Sequence, residues 1–424
     1  MVRPVLVLGA HPRTVVTIAR SLHRRRIPVL VASFVSWQPC FPSRAIARFV
    51  QLPDYREAPQ AFWEALCRLI ATHQPDLLLP SSDEALRAIA PHDSALRKQL
   101  YLACPPPEIV CRVLSKAETM EAAMRCGVAV PVTYEANDLA ALEGLRDRLS
   151  FPLLAKARDK EILSIAYLPP RYFCTYEALQ AAFQADPQFG SRIVLQEYCA
   201  GDDVGIGVLM HRGEALTLFQ YRALKTMPHA GGVSVLTFSE PVNPELAENA
   251  IRLLRELEWE GVAQVDFRHD PISGKAALLE INGRFWGSLA AATQAGVDFP
   301  YYVWQLAHGE TPSVPAGYPS GLLARWAVGD FMRLLHLYGS ERNGLPRPSR
   351  LQATAQFCWD FRPGVREMSW AWNDPIPTLM EAGKVLRKEA GSRLRALGRA
   401  GKRWQRPQPP AFDAPTEQPE KRPL

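Results

Sequence analysis

Two acidic residues and an asparagine at the ends of two apolar runs have the chemistry of a site for a hard cation. The run LLEIN carries Glu280 and Asn282, two positions apart. Because alternate residues of a strand point to the same face, a carboxylate and an amide would lie side by side there. The earlier run GVAQVDFRHD carries Asp266, and the segment between the two runs is rich in turn residues. This pattern predicts a β-hairpin.

Pairing the two strands of this hairpin would bring Asp266 and Glu280 to one place. Each of these residues alone is more typical of a strand edge or a helix cap than of a ligand. Together with Asn282 they offer three oxygen ligands, which magnesium prefers, and Arg284 follows two residues later. The combination favours a site for metal-bridged phosphate.

The order Asp266, Glu280, Asn282, Arg284 at the ends of paired strands resembles the ATP-grasp superfamily of carboxylate–amine (or thiol) ligases. The continuation RFWGSLAAATQAGVDFPYYVWQLAHGE is similar to the closing helices of that family. The resemblance covers residues 1–312. It implies ATP and magnesium as cofactors, with manganese as an alternative metal, and it implies that Asp266, Glu280 and Asn282 are the metal ligands.

Two lysines upstream have positions that suit a nucleotide. Lys156 follows the apolar run FPLLA, and a lysine at the end of a buried strand is costly unless it meets an anion. Lys116 lies near the start of an expected helix, where by its spacing alone it would be a solvated surface lysine. The resemblance implies that both residues contact the nucleotide, Lys156 at its phosphates.

The segment after Lys156 departs from the family pattern. Many ATP-grasp enzymes carry a glycine-rich loop there, which folds over the phosphates. Here the sequence ARDKEILSIAYLPPRYF has no glycine, so a cradle of free backbone N–H groups is not visible. Arg158, Lys160 or Ser164 are the candidates to replace it.

The segment RIVLQEYCAGDDVGIGVLMH combines an apolar strand with an acidic turn. Taken alone, GDD is an ordinary turn. The resemblance implies that this segment is the hinge that binds adenine. In that arrangement Gln196 faces the adenine amino group, Glu197 and Cys199 offer backbone contacts, Tyr198 packs near the base, and Asp203 binds the ribose hydroxyls.

A basic pair precedes two glycines in TLFQYRALKTMPHAGGVSVL, which suits an anion site with close backbone approach. The resemblance implies that Arg222 or Lys225 holds phosphate or the acyl intermediate, and that Arg284 stabilises a tetrahedral oxyanion. His229 in the same segment is interpreted as structural, without an acid–base role.

The N-terminal segment predicts a βαβ unit of Rossmann type. The strand VLVL, the helix RTVVTIARSLHRR and the strand IPVLVASF follow each other. Only Gly9 of the dinucleotide fingerprint is present, which argues against a nicotinamide cofactor. Further on, SSDEALRAIA predicts a helix capped by Ser81, Ser82 or Asp83 at a strand end, where a substrate contact is the alternative interpretation.

Composition excludes several classes of protein. The 424 residues, 47% hydrophobic and 22% charged, predict two or three globular domains. No apolar run is long enough for a membrane span, and the N-terminus reads as a strand, not a signal peptide. The eight cysteines form no CxxC pair, which predicts reduced thiols in a cytoplasmic protein and no zinc site.

The basic excess is confined to the end of the chain. The formal net charge is +6, while residues 384–424 hold eleven Lys or Arg and four Asp or Glu. The near-neutral body argues against nucleic-acid binding. Residues 378–404 predict a basic amphipathic helix, either solvated or on an anionic membrane surface, and their glycines favour the solvated form. The Pro- and Gln-rich residues 405–424 predict a disordered tail.

These observations predict an α/β and α+β protein. We expect a Rossmann-like pre-ATP-grasp domain over 1–110, a two-lobed ATP-grasp domain over 111–312, a C-terminal extension over 313–404 and a tail over 405–424. The resemblance implies an ADP-forming carbon–nitrogen ligase that joins small-molecule carboxylate and amine substrates, as a monomer or homodimer. The alternatives are a thiol acceptor, a phosphorylated product, a non-catalytic ATP-binding relative, and a scaffold protein that uses only the extension.

Overall fold

A computed structural model describes residues 2–9, 11–35, 39, 41–158, 171–228, 232–339 and 347–388. The chain forms two units, residues 1–381 and 382–424. The second unit is described only over 382–388, which are helical, and the fold below is that of the first. Cys40, Lys160, Ser164, His229, Gly231, the rest of the expected basic helix and the 405–424 tail lie outside the described residues.

The N-terminal region is a five-stranded sheet in the order β3-β2-β1-β4-β5, and all its strand pairs are parallel. Its central strands are buried on both faces, as their unbroken apolar runs require. The strands are β1 (Val5–Leu8), β2 (Val29–Ser33), β3 (Arg48–Gln51), β4 (Leu77–Pro80) and β5 (Tyr101–Leu102). The helices are α1 (Pro12–His23), α2 (Pro59–His73), α3 (Asp83–Ile89) and α4 (Asp93–Arg97). The expectation of a Rossmann-like region is confirmed.

Two helices lead out of this sheet, α5 (Pro107–Leu114) and α6 (Lys116–Arg125). The Ser115 hydroxyl caps α6 by accepting a hydrogen bond from the Glu118 N–H. The helix ends before Gly127, whose φ of +69° is a left-handed conformation that favours glycine. This geometry fixes Lys116 at the first position of α6.

A small antiparallel sheet follows, in the order β6-β9-β7-β8. It packs against three helices around a hydrophobic core of its own, which includes Leu153, Phe183 and Leu195. Its strands are β6 (Thr133–Tyr134), β7 (Leu153–Ala157), β8 (Arg171–Phe173) and β9 (Ile193–Glu197). Its helices are α7 (Leu139–Gly144), α8 (Tyr176–Ala185) and α9 (Phe189–Arg192). This is the first of two lobes.

The second lobe is built on a seven-stranded sheet in the order β14-β13-β10-β11-β12-β15-β16. Its hydrophobic core is continuous with that of the N-terminal sheet. The strands are β10 (Asp202–His211), β11 (Glu214–Met227), β12 (Val233–Glu240), β13 (Gly261–His269), β14 (Ala276–Asn282), β15 (Leu323–Arg325) and β16 (Val365–Glu367). Helix α10 (Pro244–Glu256) begins after Asn243, whose side chain caps it as the sequence predicts.

The predicted hairpin is confirmed as the antiparallel pair β13–β14. Asp266 lies directly opposite Glu280, and Gln264 lies opposite Asn282. A register irregularity follows Asp266, at the point where the two carboxylates meet.

The region after residue 312, which the sequence predicts to be an extension packed on the core, contributes two strands to the large sheet. Strands β15 and β16 pair in parallel at its edge, and β15 also pairs with β12. Three-residue strands are too short to show a period-2 pattern, which is why β16 escaped the sequence analysis. The remaining helices are α11 (Leu289–Gln294), α12 (Phe299–Ala307), α13 (Ala327–Gly339) and α14 (Arg350–Trp359).

Candidate active site

A cavity of about 820 Å³ lies between the two lobes and extends to the turn between β1 and α1. Strands from both lobes contribute to its wall, and so do α6 and the segment after β14. Eleven of the thirteen candidate residues from the sequence line it: Lys116, Lys156, Gln196, Glu197, Tyr198, Cys199, Asp203, Asp266, Glu280, Asn282 and Arg284.

The carboxylates of Asp266 and Glu280 converge on the side-chain amide of Asn282. The Asn282 Nδ2 donates to Asp266 Oδ2 at 3.3 Å and to Glu280 Oε1 at 3.1 Å. The Gln264 Nε2 donates to the other oxygen of Asp266 at 2.8 Å, which orients that carboxylate. The face of the hairpin thus presents two acidic groups to one point in the cavity.

This donor set fits magnesium or manganese. Among the described residues, no group of three or more His, Cys, Asp or Glu side chains could hold a metal ion. Magnesium does not require such a cage, because it is typically bound through one or two carboxylates, several waters and the substrate phosphates. Rotation of the Asn282 amide would turn its oxygen toward the point where the carboxylates converge. The residues present therefore suit a cation shared with a phosphate ligand.

Arg284 connects this hairpin to the N-terminal sheet. Its Nε donates to Asp83 Oδ1 at 3.1 Å, and its Nη2 donates to Asn282 Oδ1 at 3.1 Å. Asp83 opens α3, whose N-cap is Ser82. The capping prediction for the segment SSDEA is confirmed by Ser82, and Asp83 also orients Arg284. The guanidinium is thus held at the cavity wall by two separate elements.

The two candidate lysines face the cavity from different elements. Lys156, on β7, donates from Nζ to Gln196 Oε1 at 2.6 Å. Burial, and secondarily the nearby Lys116, lower the pKa of Lys156 to about 8. A bound anion would offset both effects on the pKa, because a negative charge between two ammonium groups favours their charged forms. The pair therefore has the electrostatics of a phosphate site.

The candidate hinge follows β9 at the rim of the cavity. The N–H groups of Glu197 and Tyr198 donate to the carbonyls of Val132 and Pro152, at 2.9 and 3.0 Å. The Glu197 carboxylate accepts from the Tyr134 hydroxyl at 2.8 Å, so its side chain is held by the small sheet. The Gln196 side chain, engaged by Lys156, also donates to Thr133 Oγ1 at 3.2 Å.

Asp203 is the second residue of β10 and lines the cavity. It pairs with Arg268 at 3.2 Å, and Arg268 also packs against the ring of Tyr198. Burial raises the pKa of Asp203, against the opposing effect of Arg268. The contact joins the hinge to the large sheet.

Arg222 and Lys225 are not among the described residues that line the cavity. Arg222 is held by Asp202 and Glu240, at 2.9 and 2.7 Å, beside the strand pair β10–β11. Lys225 forms buried ion pairs with Asp330 and Asp360, which belong to the region after residue 312. Their placement gives no support to the phosphate-binding role expected from the sequence, because acidic partners already neutralise both cations.

Several cavity residues escaped the sequence analysis. His11 and Arg13 come from the turn and first helix after β1, Tyr221 from β11, Gln264 and Arg268 from β13, and Ser288 from the segment before α11. The signal available for His11 and Arg13 was their position after the first strand of a parallel sheet, where ligands bind at carboxyl ends. Tyr221, Gln264 and Arg268 lie inside strands whose inward face only the tertiary fold reveals, and Ser288 lies in a connecting segment.

Residues 190–327 match the model of a protein family described as "ATP-grasp in the biosynthetic pathway with Ter operon". The match begins just before β9 and ends at the start of α13, so it includes the hinge and the β13–β14 hairpin.

Solved structures with the same architecture include three enzymes of low sequence identity. The L-amino acid ligase from Bacillus licheniformis is 19% identical, with a TM-score of 0.55 over 72% of this chain and 74% of that chain. The ADP complex of N5-carboxyaminoimidazole ribonucleotide synthetase is 14% identical, with a TM-score of 0.62 over 85% and 98%. Phosphoribosylglycinamide synthetase from Anaerococcus prevotii is 13% identical, with a TM-score of 0.54 over 76% and 80%. The chain therefore has the fold of the ATP-grasp superfamily, as its motifs predicted.

Proposed function

We propose that the protein is an ATP-dependent ligase that activates a carboxylate as an acyl phosphate and joins it to an amine, releasing ADP and phosphate. One observation carries the proposal. Asp266 and Glu280 are direct cross-strand partners in the same cavity as two lysines, one of which has a pKa lowered to about 8 by burial and its neighbour. Acidic oxygens for a metal and cations for phosphates are the two needs of phosphoryl transfer from ATP.

In the first step the γ-phosphoryl group passes from ATP to a carboxylate oxygen of the substrate, and ADP leaves. A divalent cation held by Asp266, Glu280 and Asn282 would neutralise the negative charge on the transferred phosphoryl group. Lys116 and Lys156 hold the phosphates in position. The chain's contribution to this step is orientation and electrostatic stabilisation.

In the second step an amine nitrogen attacks the carbonyl carbon of the acyl phosphate, phosphate leaves, and the nitrogen gives up a proton. A tetrahedral oxyanion forms on the way. Arg284, oriented by Asp83, is the donor that stabilises it. No protein nucleophile is needed, so the residues are required only to bind and orient.

The nucleotide base occupies the end of the cavity at the hinge after β9, where Gln196 to Cys199 and Asp203 lie. In this arrangement the phosphates run toward the β13–β14 hairpin. The ribose lies against Asp203, and its hydroxyls would donate hydrogen bonds to a carboxylate whose pKa is raised by burial.

The test is ADP release by the full-length protein with magnesium and ATP over a matrix of carboxylates and amines. Amino acids head the matrix, because one solved structure of the same fold is an L-amino acid ligase. ADP release that needs both a carboxylate and an amine, with an amide as product, supports the proposal. A thioester product would show that the acceptor is a thiol, and release of the phosphorylated carboxylate would show that the acyl phosphate itself is the product. ATP binding without ADP release for any pair would favour a non-catalytic relative, and absence of ATP binding would favour a scaffold.

A further inference from the structure

Arg13 is a buried cation at the cavity wall with no acidic partner in contact. It lies at the start of α1, is 6% exposed, and lines the cavity. Within the described part of the chain its side chain forms no ion pair within 4 Å, and its Nη1 is buried without a hydrogen-bond partner. A buried, unsatisfied guanidinium costs stability, so its presence calls for a ligand.

The position of this guanidinium is fixed by packing. It stacks on the ring of Trp326 at 3.7 Å. A Cβ added to Gly287 would come within 2.8 Å of the Arg13 Nη2, so the absence of a side chain at Gly287 makes room for the guanidinium. Burial lowers the pKa of Arg13 to about 10, and the carboxylates of Glu381 and Glu367 partly offset that effect. Arg13 is therefore charged at neutral pH.

The titratable neighbours of Arg13 on the cavity wall include Arg284 and His11. Arg284 is paired with Asp83 at 3.1 Å. His11 faces the cavity with its Nδ1 3.0 Å from Thr14 Oγ1. Burial, Arg13 and Arg284 lower the pKa of His11 to about 3, so its ring is neutral and can act as a hydrogen-bond donor or acceptor. The turn after β1 thus offers one guanidinium and one neutral imidazole to a ligand.

We propose that Arg13, with His11, binds a second carboxylate of the substrates, distinct from the one that is phosphorylated. The inference rests on the proposed function. A guanidinium matches a carboxylate in a planar, bidentate geometry. In the proposed function the reacting carboxylate lies at the hairpin and Arg284, and the carboxylate assigned to Arg13 is a second, non-reacting group. The substrates are accordingly amino acids or dicarboxylates, with the N-terminal domain selecting for the extra carboxylate.

The first measurement is ligand binding by thermal shift and calorimetry, using full-length protein with magnesium and ADP. The probes are the common L-amino acids and succinate, each paired with its α-amide or with succinamate. We expect the free acid of a substrate to raise the melting temperature of the wild type and the corresponding amide to leave it unchanged. Arg13→Met should weaken binding of the free acids about tenfold to a hundredfold and leave ADP affinity unchanged.

Gly287→Ala provides a second variant that keeps every charge. The new methyl group meets Arg13 at the far end of its side chain, so the guanidinium must shift while the backbone stays as it is. It should reproduce the weaker binding of Arg13→Met if the position of the guanidinium matters. Arg24→Met is the matched control, because Arg24 follows the same helix, is largely exposed and is absent from the cavity wall. It should bind like the wild type.

Turnover separates this inference from the proposed function. In the ADP-release assay, Arg13→Met should raise the KM for the substrate that carries the second carboxylate. Replacing that carboxylate by an amide, first in the carboxylate substrate and then in the amine substrate, identifies which of the two bears it. Equal binding of acids by wild type and Arg13→Met would overturn the role of Arg13 and leave the ligase standing. Acid binding that depends on Arg13, without ADP release for any pair, would overturn the ligase and leave the anion site standing.

Discussion

Lys156 lines the cavity, and burial of its charged ammonium group lowers the free energy of unfolding. Its pKa in the folded protein is about 8, lowered from 10.5 by burial and then by Lys116. The unfolded chain therefore holds this proton more tightly. Above pH 10.5 Lys156 is neutral in both states, and its burial does not lower the free energy of unfolding. As the pH falls from 10.5 to about 8, the unfolded chain takes up the proton first and the free energy of unfolding decreases. Below about pH 8 the full cost of burying the charged lysine is present.

We expect Lys156→Met to weaken ATP binding about tenfold or more at pH 7, because a charge-assisted contact to phosphate is lost. The melting temperature without nucleotide should change little, since relief of the buried charge offsets the lost hydrogen bond to Gln196. In the wild type, ATP affinity should fall as the pH rises through 8, and the variant should lack this dependence. Calorimetry from pH 6.5 to 9 measures both, with the exposed Lys98→Met as control. A loss of fold equal to the loss of ATP binding would make the lysine structural.

Glu280→Gln keeps the size of the side chain and removes one of two facing charges. We expect turnover to fall strongly, because the charge of a bound cation stabilises the transition state more than the ground state. Stability without nucleotide should hold or rise slightly, since adjacent carboxylates repel each other when no cation neutralises them.

ADP release and thermal denaturation of the Glu280→Gln protein measure the two effects. The exposed Glu214→Gln, on β11, is the matched control and should change neither. The variant could instead be partly unfolded, while the fraction that remains folded still binds ATP in a magnesium-dependent way. That result would mean that Glu280 is structural.

At the scale of elements, helix α6 positions Lys116 at its first residue, directly after its cap. Ser115→Ala removes the bond from the Glu118 N–H to the Ser115 hydroxyl, 3.3 Å long. Loss of such a cap costs about 1 kcal/mol. We expect faster amide exchange over the first turn of α6 and weaker ATP binding, because the lysine is then less fixed.

Thr175→Ala is a matched control for this cap. Thr175 caps α8 by a bond of the same length, 3.3 Å from the Ala178 N–H, and it is not among the described residues of the cavity wall. It should cost similar stability locally and leave ATP affinity unchanged. Equal loss of ATP affinity in both variants would show that general destabilisation, not the position of Lys116, is responsible.

At the scale of the whole molecule, Asp374 ties the end of the first unit to the N-terminal sheet. Its carboxylate accepts from Arg20 Nε at 2.9 Å, from the Ser43 hydroxyl at 2.6 Å and from the Arg44 N–H at 3.0 Å. Burial opposes ionisation of Asp374, but these donors prevail and lower its pKa. The stabilisation is therefore fully present above pH 3.8 and is lost as the pH falls through the folded pKa.

Asp374→Asn would remove the charge that pairs with Arg20 and would turn an amide N–H₂ toward a group that now donates to the carboxylate. Because Arg20 is largely buried, we expect a loss of about 3 kcal/mol, with ATP affinity retained at temperatures where the fold persists. Denaturation at pH 7 measures it. Asp54→Asn is the control, because within the described ranges the Asp54 carboxylate bonds to Arg56, an exposed neighbour two residues away, and its loss should cost far less. A fall in ATP affinity without a change in stability would contradict this structural role.

No described helix is long and apolar enough to cross a membrane. The seven described cysteines are free thiols.

The sequence by itself determined the features that depend on local pattern. Alternation of side chains placed Glu280 and Asn282 on one face, and the turn residues before β14 set the hairpin that brings Asp266 opposite Glu280. The unbroken apolar runs of β1, β2 and β4 required a parallel sheet buried on both faces. These are properties of neighbouring residues, so no distant contact was needed to predict them.

Only the tertiary structure decided which distant side chains share the cavity and which are neutralised elsewhere. Arg222 and Lys225 looked like an anion site along the chain, but acidic residues, two of them more than a hundred positions later, pair with them outside the cavity wall. The position of Arg13 after the first strand did not show how its charge is balanced, and packing against Trp326 and Gly287 leaves it charged and unpaired at the cavity. The physical reason is that the neutralisation of a charge depends on residues brought close by folding, which spacing along the chain does not encode.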